Sequence, residues 1–374
     1  MTTADAIARP RTNGVEKIPP PMAMLAELTH RCPLACPYCS NPLELTGARD
    51  ELSTEEWTRV FREAAGLGVL HLHLSGGEPA SRRDLAALTQ AAASIGLYTN
   101  LITSGVGLTE RRVTELAAFG LDHVQLSIQG ATPAAADRVG GYEGSYERKL
   151  AVAKWVDCAG IPLTINAVCH KQNVDQLEAM LDLAVRLGAR RIEIAMVQFH
   201  GWAEKNRPNL MPTPEQAHHA THLVERAKDR LKGVLVIDYV PADYHSTYPK
   251  ACMGGWGRVG INITPSGKAL PCHAAETIPS MLFDNIREKS LADIWFHSDA
   301  FNAYRGDEWM QEPCRSCERK HIDFGGCRCQ AMALAGDPAA TDPVCIRSLG
   351  RQALTQAAEA DANASPGAFI YRGQ

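Results

Sequence analysis

The sequence predicts an α/β fold, an incomplete (β/α)6 barrel followed by a loop-rich, cysteine-dense segment, and three observations predict it. Apolar strand patterns and helical patterns alternate from Met22 to about residue 232, which implies a parallel sheet with right-handed crossovers. Each of the six helical patterns ends at a glycine, Gly68, Gly96, Gly120, Gly160, Gly188 and Gly233, where a left-handed residue turns the chain toward the next strand. Polar residues also recur at alternate positions along strand patterns, although a filled parallel barrel lines its interior with apolar side chains.

Residues 1–20, with Pro10, Pro19 and Pro20, read as a flexible arm. A first strand at about 22–28 leads into a cysteine loop, and Ser53-Thr54-Glu55-Glu56 forms a capping box for a helix running to about Gly66. Further strands are expected near 69–75, 98–104, 123–129, 161–168 and 191–198. Helices are expected between and after them, near 82–95, 109–119, 145–159, 173–187 and 214–232. The domain boundaries that follow are an arm over 1–20, a barrel over 21–240, a cysteine-rich domain over 241–350 and an Ala-rich tail over 351–374.

A chain of 374 residues with 45% hydrophobic residues can bury one large core and a smaller one. Its formal net charge of −4, with both signs mixed along the sequence, offers no basic face to nucleic acid. No apolar run is long enough to span a membrane, and residues 1–20 lack the apolar centre of a signal peptide, so the expected location is cytoplasmic. In that setting the twelve cysteines suit metals or catalysis better than disulfides. Ten fall in two regions, while Cys158 and Cys169 read as small buried apolar residues.

The first cysteine region is Cys32-Pro33-Leu34-Ala35-Cys36-Pro37-Tyr38-Cys39. Three thiolates on one short loop select zinc or an iron–sulfur cluster. A structural zinc site needs a fourth ligand from elsewhere, whereas three ligands on a cluster leave one corner open to a substrate or cofactor. In a parallel barrel, chemistry sits on loops after the carboxyl ends of strands, where this loop lies. After the second strand stands Gly76-Gly77-Glu78-Pro79, with glycines that permit close backbone approach to a ligand and a carboxylate able to accept from an amine. Gln125, Ser127 and Gln129 share one face of the fourth strand pattern, as do Thr164 and Asn166 on the fifth, so a polar ligand is expected in the lumen. Hydrogen-bonded core polars are the alternative. His71 and His73 alternate likewise and read as satisfied core histidines.

Together, Cys-x3-Cys-x2-Cys after the first strand and Gly-Gly-Glu-Pro after the second resemble the radical S-adenosylmethionine superfamily. The resemblance implies that Cys32, Cys36 and Cys39 hold three irons of a [4Fe–4S] cluster whose fourth iron binds S-adenosylmethionine. One electron from the cluster would then release a 5′-deoxyadenosyl radical, the cofactor supplying the chemistry and the protein its orientation. Glu78, with Gly76 and Gly77, would receive the methionine amine. Tyr38 would lie near the adenine, and Ser104, Ser127 and Asn166 would contact ribose and carboxylate. Beyond the cluster cysteines no catalytic side chain is identifiable.

Cys252, Cys272, Cys314-x2-Cys317, Cys327, Cys329 and Cys345 resemble a SPASM domain, the auxiliary-cluster extension of many peptide-modifying radical enzymes. Asp323 stands where that pattern ordinarily has a cysteine. Two four-ligand clusters need eight ligands, so the implied sets are Cys252, Cys272, Cys327 and Cys329 for one, and Cys314, Cys317, Asp323 and Cys345 for the other. The clusters could be 4Fe–4S or 2Fe–2S. A solvated loop aspartate beside an open iron is the other reading of Asp323.

The longer stretches Glu27–Pro42, Leu74–Pro79, Thr99–Gly105 and His123–Ser127 resemble the radical enzymes of pyrroloquinoline quinone biosynthesis. That resemblance implies a carbon–carbon crosslink between a glutamate γ-carbon and a tyrosine ring carbon of the precursor peptide PqqA. Rearomatisation would release an electron to the auxiliary clusters, and a proton to a base that the sequence does not identify. It also implies a separate peptide carrier, PqqD, because the arm before Met22 is too short to fold as a recognition module, and an external one-electron reductant such as flavodoxin. The loop 198–207 is either substrate-facing or packed under the cysteine-rich domain. The alternatives in function are a maturase forming a thioether or another oxidative modification in a different peptide, and a noncatalytic iron–sulfur electron-transfer protein.

Overall fold

The structure, a computed structural model, describes residues 18–373. Strands β1 (Ala23–Thr29), β2 (His71–Gly76), β3 (Tyr98–Thr103), β4 (His123–Ile128), β5 (Leu163–Cys169) and β6 (Arg191–Met196) stand where the alternation placed them and run parallel in chain order. Their two faces differ in kind. Met24, Ala26, Leu28, Leu72, Leu74, Leu101, Val124, Leu126, Ile165, Ile192 and Ile194 are buried in one apolar core, whereas the intervening polar side chains line the lumen.

Helices α1 (Thr54–Leu67), α2 (Leu85–Ser94), α3 (Glu110–Ala118), α4 (Pro133–Gly140), α5 (Ser145–Cys158) and α6 (Leu177–Arg186) follow, with a further helix over Pro214–Arg230. Ser53 caps α1 as expected, accepting from the Glu56 N–H while the Glu56 carboxylate accepts from the Ser53 N–H at 2.7 Å. All six punctuating glycines have positive φ, between 72° and 112°. Helix α4 was not expected, although its start carries both usual signals, Pro133 at the first position and the Thr132 hydroxyl accepting from the Ala135 N–H.

The sheet is larger than six strands. β7 (Val236–Val240) adds parallel to β6, and β8 (Gly260–Ile263) and β9 (Ala269–Leu270) extend the other side, giving the order β7-β6-β5-β4-β3-β2-β1-β8-β9. β8 pairs parallel with β1 from Ala23↔Gly260 to Ala26↔Ile263, so a strand from the cysteine-rich segment covers what would otherwise be an open edge. Trp295, Phe301, Ile294 and Leu291 of that segment share one apolar core with Trp57 and Phe61 of α1. Polar contacts reinforce this seam: Arg287 meets Glu56 at 2.6 Å, and the Leu291 N–H donates to Glu63 at 2.8 Å. These strands and contacts are short or remote in sequence, which is why periodicity does not reveal them.

The expected arm lies outside the described residues up to position 17. Its last three residues are held, since Ile18 packs on the core and the Trp295 indole N–H donates to the Pro19 carbonyl at 2.9 Å. The tail also has structure. Helix Arg351–Asn363 packs Leu354, Ala358 and Ala362 against Val197, Phe199, Leu210 and Tyr244. Cys169 is buried as expected, but Cys158, in the last turn of α5, is exposed. Among the described residues no helix is long and apolar enough to cross a membrane.

Candidate functional site

Three segments meet at the cysteine loop, each through backbone or amide hydrogen bonds. The Gly77 N–H donates to the Thr29 carbonyl at 2.6 Å and the Glu78 N–H to that of Arg31 at 2.8 Å. The Ala35 N–H donates to Gly140 at the end of α4 at 2.8 Å, and the Trp202 N–H donates to Cys39 at 3.1 Å. The Asn206 amide adds a bond to the Pro37 carbonyl at 3.1 Å. These bonds tie the backbone of the loop to its neighbours without using the cysteine side chains.

The glycine pair, expected to approach a ligand, is also packed directly on this loop. A Cβ on Gly76, whose φ is +123°, would lie 2.3 Å from the Thr29 carbonyl oxygen, and one on Gly77 would lie 2.5 Å from that of Arg31. Neither backbone atom can yield cheaply. Gly77→Ala is therefore expected to cost about 1–3 kcal/mol, as overpacking does, and to displace the cysteine loop. Denaturant unfolding together with the iron content of the reconstituted chain measures both effects.

The three thiols are free and half-buried. Burial pushes Cys32 up to about 12 and Cys39 up to about 11, and it raises Cys36 as well. Left alone they would stay protonated. Metal coordination deprotonates such thiols, so a cationic iron cluster is the kind of group that this donor set fits.

Glu78 is buried at the centre of a complete set of donors. Oε1 accepts from the Ala80 N–H at 2.9 Å and the Thr103 hydroxyl at 2.7 Å, while Oε2 accepts from the Ser104 N–H at 2.6 Å and the Ser104 hydroxyl at 2.5 Å. A carboxylate has about four lone-pair sites, so all are occupied by the chain's own groups. Burial raises its pKa and these bonds oppose the rise. Glu78 and Ser104, both expected at the cofactor, are brought to each other, and Ser104 is turned toward Glu78.

Ser127 and Asn166 are register partners on β4 and β5, both half-buried on the lumen face. Gln129 lies just past β4 and is buried, with its Oε1 accepting from the Lys149 ammonium. The Tyr38 ring packs 5.8 Å from that of His170, and its hydroxyl is in reach of Gln129 and Cys36. Deeper in the lumen the Asn100 amide meets His73 at 3.1 Å and Gln125 at 3.3 Å, and Gln125 donates to Glu193 at 2.8 Å. Below these, His123 meets Thr164 at 2.8 Å. His73 is thus a lumen residue, and His71 is exposed, edge-on to Tyr98 at 5.4 Å. Neither is a core histidine.

Lys149 was missed. It is 1% exposed on α5, and burial lowers its pKa to about 8 while Cys36, Glu78 and Cys32 pull it back up. The signal was available: Lys149 shares a helical face with Val152, Ala153 and Val156, all buried, and an unpaired lysine is costly there. The loop 198–207 resolves toward packing, because Phe199 and Trp202 are buried and Phe199 lies 5.3 Å from Tyr244. Beside it a cavity of about 270 Å³ is lined by Gln198, Asp243 and His245. Burial pushes Asp243 up to about 6, opposed by the Lys250 ammonium at 3.0 Å.

The remaining cysteines form two groups. Cys272 is in hydrogen-bonding reach of Cys252 and Cys329, and Cys327 is in reach of both of those, within an apolar shell of Trp256, Leu270 and Ile278. Cys314, Cys317, Asp323 and Cys345 line a separate cavity of about 340 Å³. Asp323 is only 8% exposed, accepting from the Gly325 N–H at 3.2 Å and from Arg319 at 3.3 Å, so it is not a solvated loop residue. The Arg347 guanidinium donates to the Cys317 sulfur at 3.0 Å. Among the described residues no three or more His, Cys, Asp or Glu side chains are drawn around a single ion position.

The chain matches the family model described as Radical SAM superfamily over residues 26–184, and that of SPASM, an iron–sulfur cluster-binding domain, over residues 252–318. Solved structures share the fold. SuiB of Streptococcus suis bound to S-adenosylmethionine superposes with a TM-score of 0.72 at 21% identity, over 89% of this chain and 77% of that one. The anSMEcpe structure with bound AdoMet and the Cp18Cys peptide gives 0.66 at 14% identity, over 92% and 96%. Curated relatives are far nearer in sequence. The PqqA peptide cyclase of Rhizobium meliloti is 68% identical over 99% of this chain and 100% of its own length, and that of Ruegeria pomeroyi is 61% identical over 95% of each. With identity at that level from end to end, and a cysteine loop seated over a polar lumen, the chain belongs to the PqqA peptide cyclase family of radical S-adenosylmethionine enzymes.

Proposed function

We propose that this enzyme joins a glutamate γ-carbon to a tyrosine ring carbon within the peptide PqqA, as an early step of pyrroloquinoline quinone biosynthesis. The observation that carries the reading is identity of 53–68% to PqqA peptide cyclases over most or all of their length. When bound, a [4Fe–4S] cluster with S-adenosylmethionine supplies a 5′-deoxyadenosyl radical able to take hydrogen from an unactivated carbon.

The chain's part is to hold and orient. Residues 21–240 form the unit that carries this chemistry, with Cys32, Cys36 and Cys39 as cluster ligands. Glu78 braces Gly76 and Gly77 beside them through Thr103 and Ser104, leaving backbone groups of the glycine segment to meet the methionine amine. Ser127 and Asn166 face the lumen and would contact the ribose, and Tyr38 would flank the adenine. Lys149, whose buried ammonium reaches Gln129 beside the same space, would pair with the cofactor carboxylate. A charge-assisted bond of about 1.5–3 kcal/mol corresponds to roughly ten- to hundredfold in affinity. Lys149→Met is therefore expected to weaken S-adenosylmethionine binding by at least about tenfold while the cluster spectrum persists, as equilibrium titration of the reconstituted enzyme measures.

Residues 241–350 hold two auxiliary clusters, one on Cys252, Cys272, Cys327 and Cys329, the other on Cys314, Cys317, Asp323 and Cys345. The second set is supported by the burial of Asp323 on the wall of the cavity that the three thiols share. Carboxylate is a harder ligand than thiolate, so Asp323→Cys and Asp323→Ala are each expected to change the spectrum of that cluster alone. An unchanged spectrum would reduce Asp323 to a structural residue. The reaction takes place in the cytoplasm, with PqqD as peptide carrier and an external one-electron reductant such as flavodoxin.

The deciding experiment is anaerobic turnover of the reduced enzyme with S-adenosylmethionine, PqqA and PqqD, followed by mass spectrometry. A peptide lighter by two hydrogens, with fragmentation blocked between a glutamate and a tyrosine, is expected. A peptide of the same lowered mass that fragments freely between them would overturn the crosslink.

A further inference from the structure

Residues 364–372 leave the helix Arg351–Asn363 and return to the cysteine loop as a strap. Lys171 donates to the carbonyls of Ala362 and Ala364 at 2.8 and 2.7 Å. Asn209 clasps the next turn, accepting from the Gly367 N–H at 2.6 Å and donating to Ala368 at 3.0 Å. Asn206 is the hinge pin, because its side chain accepts from the Ile370 N–H at 2.8 Å, donates to the Ile370 carbonyl at 2.8 Å and also donates to Pro37 inside the cysteine loop.

Arg372 is where the strap ends on the loop. Its N–H donates to the Ala35 carbonyl at 3.0 Å, and its guanidinium donates to the carbonyl of His30, so one residue spans the loop between Arg31 and Cys36. The residue is 8% exposed, and its Nε has no hydrogen-bond partner. Among the described residues no carboxylate pairs with it, and a buried guanidinium without a counter-charge is expensive. Its guanidinium lies at the base of the loop that carries Cys32, Cys36 and Cys39, on the His30 carbonyl two residues before Cys32. Three thiolates ligating a cluster on that loop would supply the missing counter-charge.

We propose that Arg372 is a positioning residue of the S-adenosylmethionine-binding cluster, clamping its loop from the strap and favouring its reduced state through an uncompensated buried positive charge. The proposal rests on the reading of Cys32, Cys36 and Cys39 as cluster ligands. Nearby charge and hydrogen bonding are among the factors that set iron–sulfur potentials. A positive charge favours the form carrying the extra electron, so removing it moves the potential more negative.

The test is a redox titration of the fully reconstituted enzyme and its Arg372→Gln and Arg372→Lys variants, followed by electron paramagnetic resonance, with the auxiliary clusters as internal references. In Arg372→Gln the reduced-to-oxidised ratio of the S-adenosylmethionine-binding cluster at fixed potential is expected to fall about tenfold, equivalent to about 59 mV for a one-electron couple. Arg372→Lys is expected to recover most of that fall, and the auxiliary potentials are expected to stay in place. Failure of Arg372→Gln alone to assemble this one cluster, with both auxiliary signals intact, would equally support the clamp. Unchanged potential and occupancy in Arg372→Gln would overturn the proposal, as would an equal shift of all clusters in both variants. A parent enzyme with no cluster dependent on Cys32, Cys36 and Cys39 would instead overturn the ligand reading and remove the proposal with it.

Discussion

Cys36→Ala is expected to abolish 5′-deoxyadenosine formation while both auxiliary cluster signals and the cooperative unfolding of the chain survive. The separation follows from how the loop is built. Its backbone is held by donors from Gly77, Glu78, Ala35 and Trp202, none of which involves the Cys36 side chain, so little folding energy rides on the sulfur. The cluster has no such reserve. Only three thiols stand on this loop, and a cluster held by two protein ligands cannot keep one iron free for a cofactor while securing the other three. Anaerobic iron and sulfide analysis, electron paramagnetic resonance and chromatographic assay of 5′-deoxyadenosine check the three parts. Cleavage of S-adenosylmethionine at parental rates would refute the assignment.

Glu78→Ala is expected to be damaging in both stability and activity, and for one reason. Removing the carboxylate leaves four donors from Ala80, Thr103 and Ser104 without acceptors in a buried site. Each orphaned donor costs about 1–3 kcal/mol. The costs do not simply add, because the groups share one site, and relief of the buried carboxylate's own desolvation offsets part of them. A net loss of order 3–5 kcal/mol is the expected result, read from denaturant midpoints of the reconstituted chain. The glycine segment beside the cysteine loop would then lose its brace, and S-adenosylmethionine cleavage should fall by at least about a hundredfold. Glu78→Gln separates the two effects. It preserves volume and one accepting oxygen but turns an amide N–H₂ toward one pair of donors, so an intermediate loss in both measurements is expected. Full activity in Glu78→Gln would show that the brace does not need a carboxylate.

The strand–helix frame was legible because it rests on local rules: period, capping and a glycine after each helix. The cysteine loop was legible because soft ligands at short spacing have few other uses. What escaped has a common physical character. Lys149 is a buried charge inside an otherwise regular helix, and its partners Gln129, Cys36 and Glu78 come from three other segments. Glu78 was identified, but three of the four donors that occupy it lie 25 or more residues away in Thr103 and Ser104, so its bracing role could not be read. Arg372 sits in a stretch with no periodicity at all, and only the fold brings it to Ala35 and His30. Sequence patterns reveal elements and ligand sets. Charge partners assembled from distant loops have no such signature.

The pairing of β8 with β1, and the shared packing of Trp295 with Trp57, bear on how this enzyme can be taken apart. A fragment cut at residue 240 would bare the hydrogen-bonding edge of β1 and the apolar face of α1 together. Both are hazards for self-association. The cut would also strip away the strap that braces the cysteine loop. Exchanging auxiliary segments between relatives would therefore have to carry residues 260–301 along with the barrel they complete. The part that looks like an appendage in the sequence is, mechanically, the closing wall of the catalytic unit.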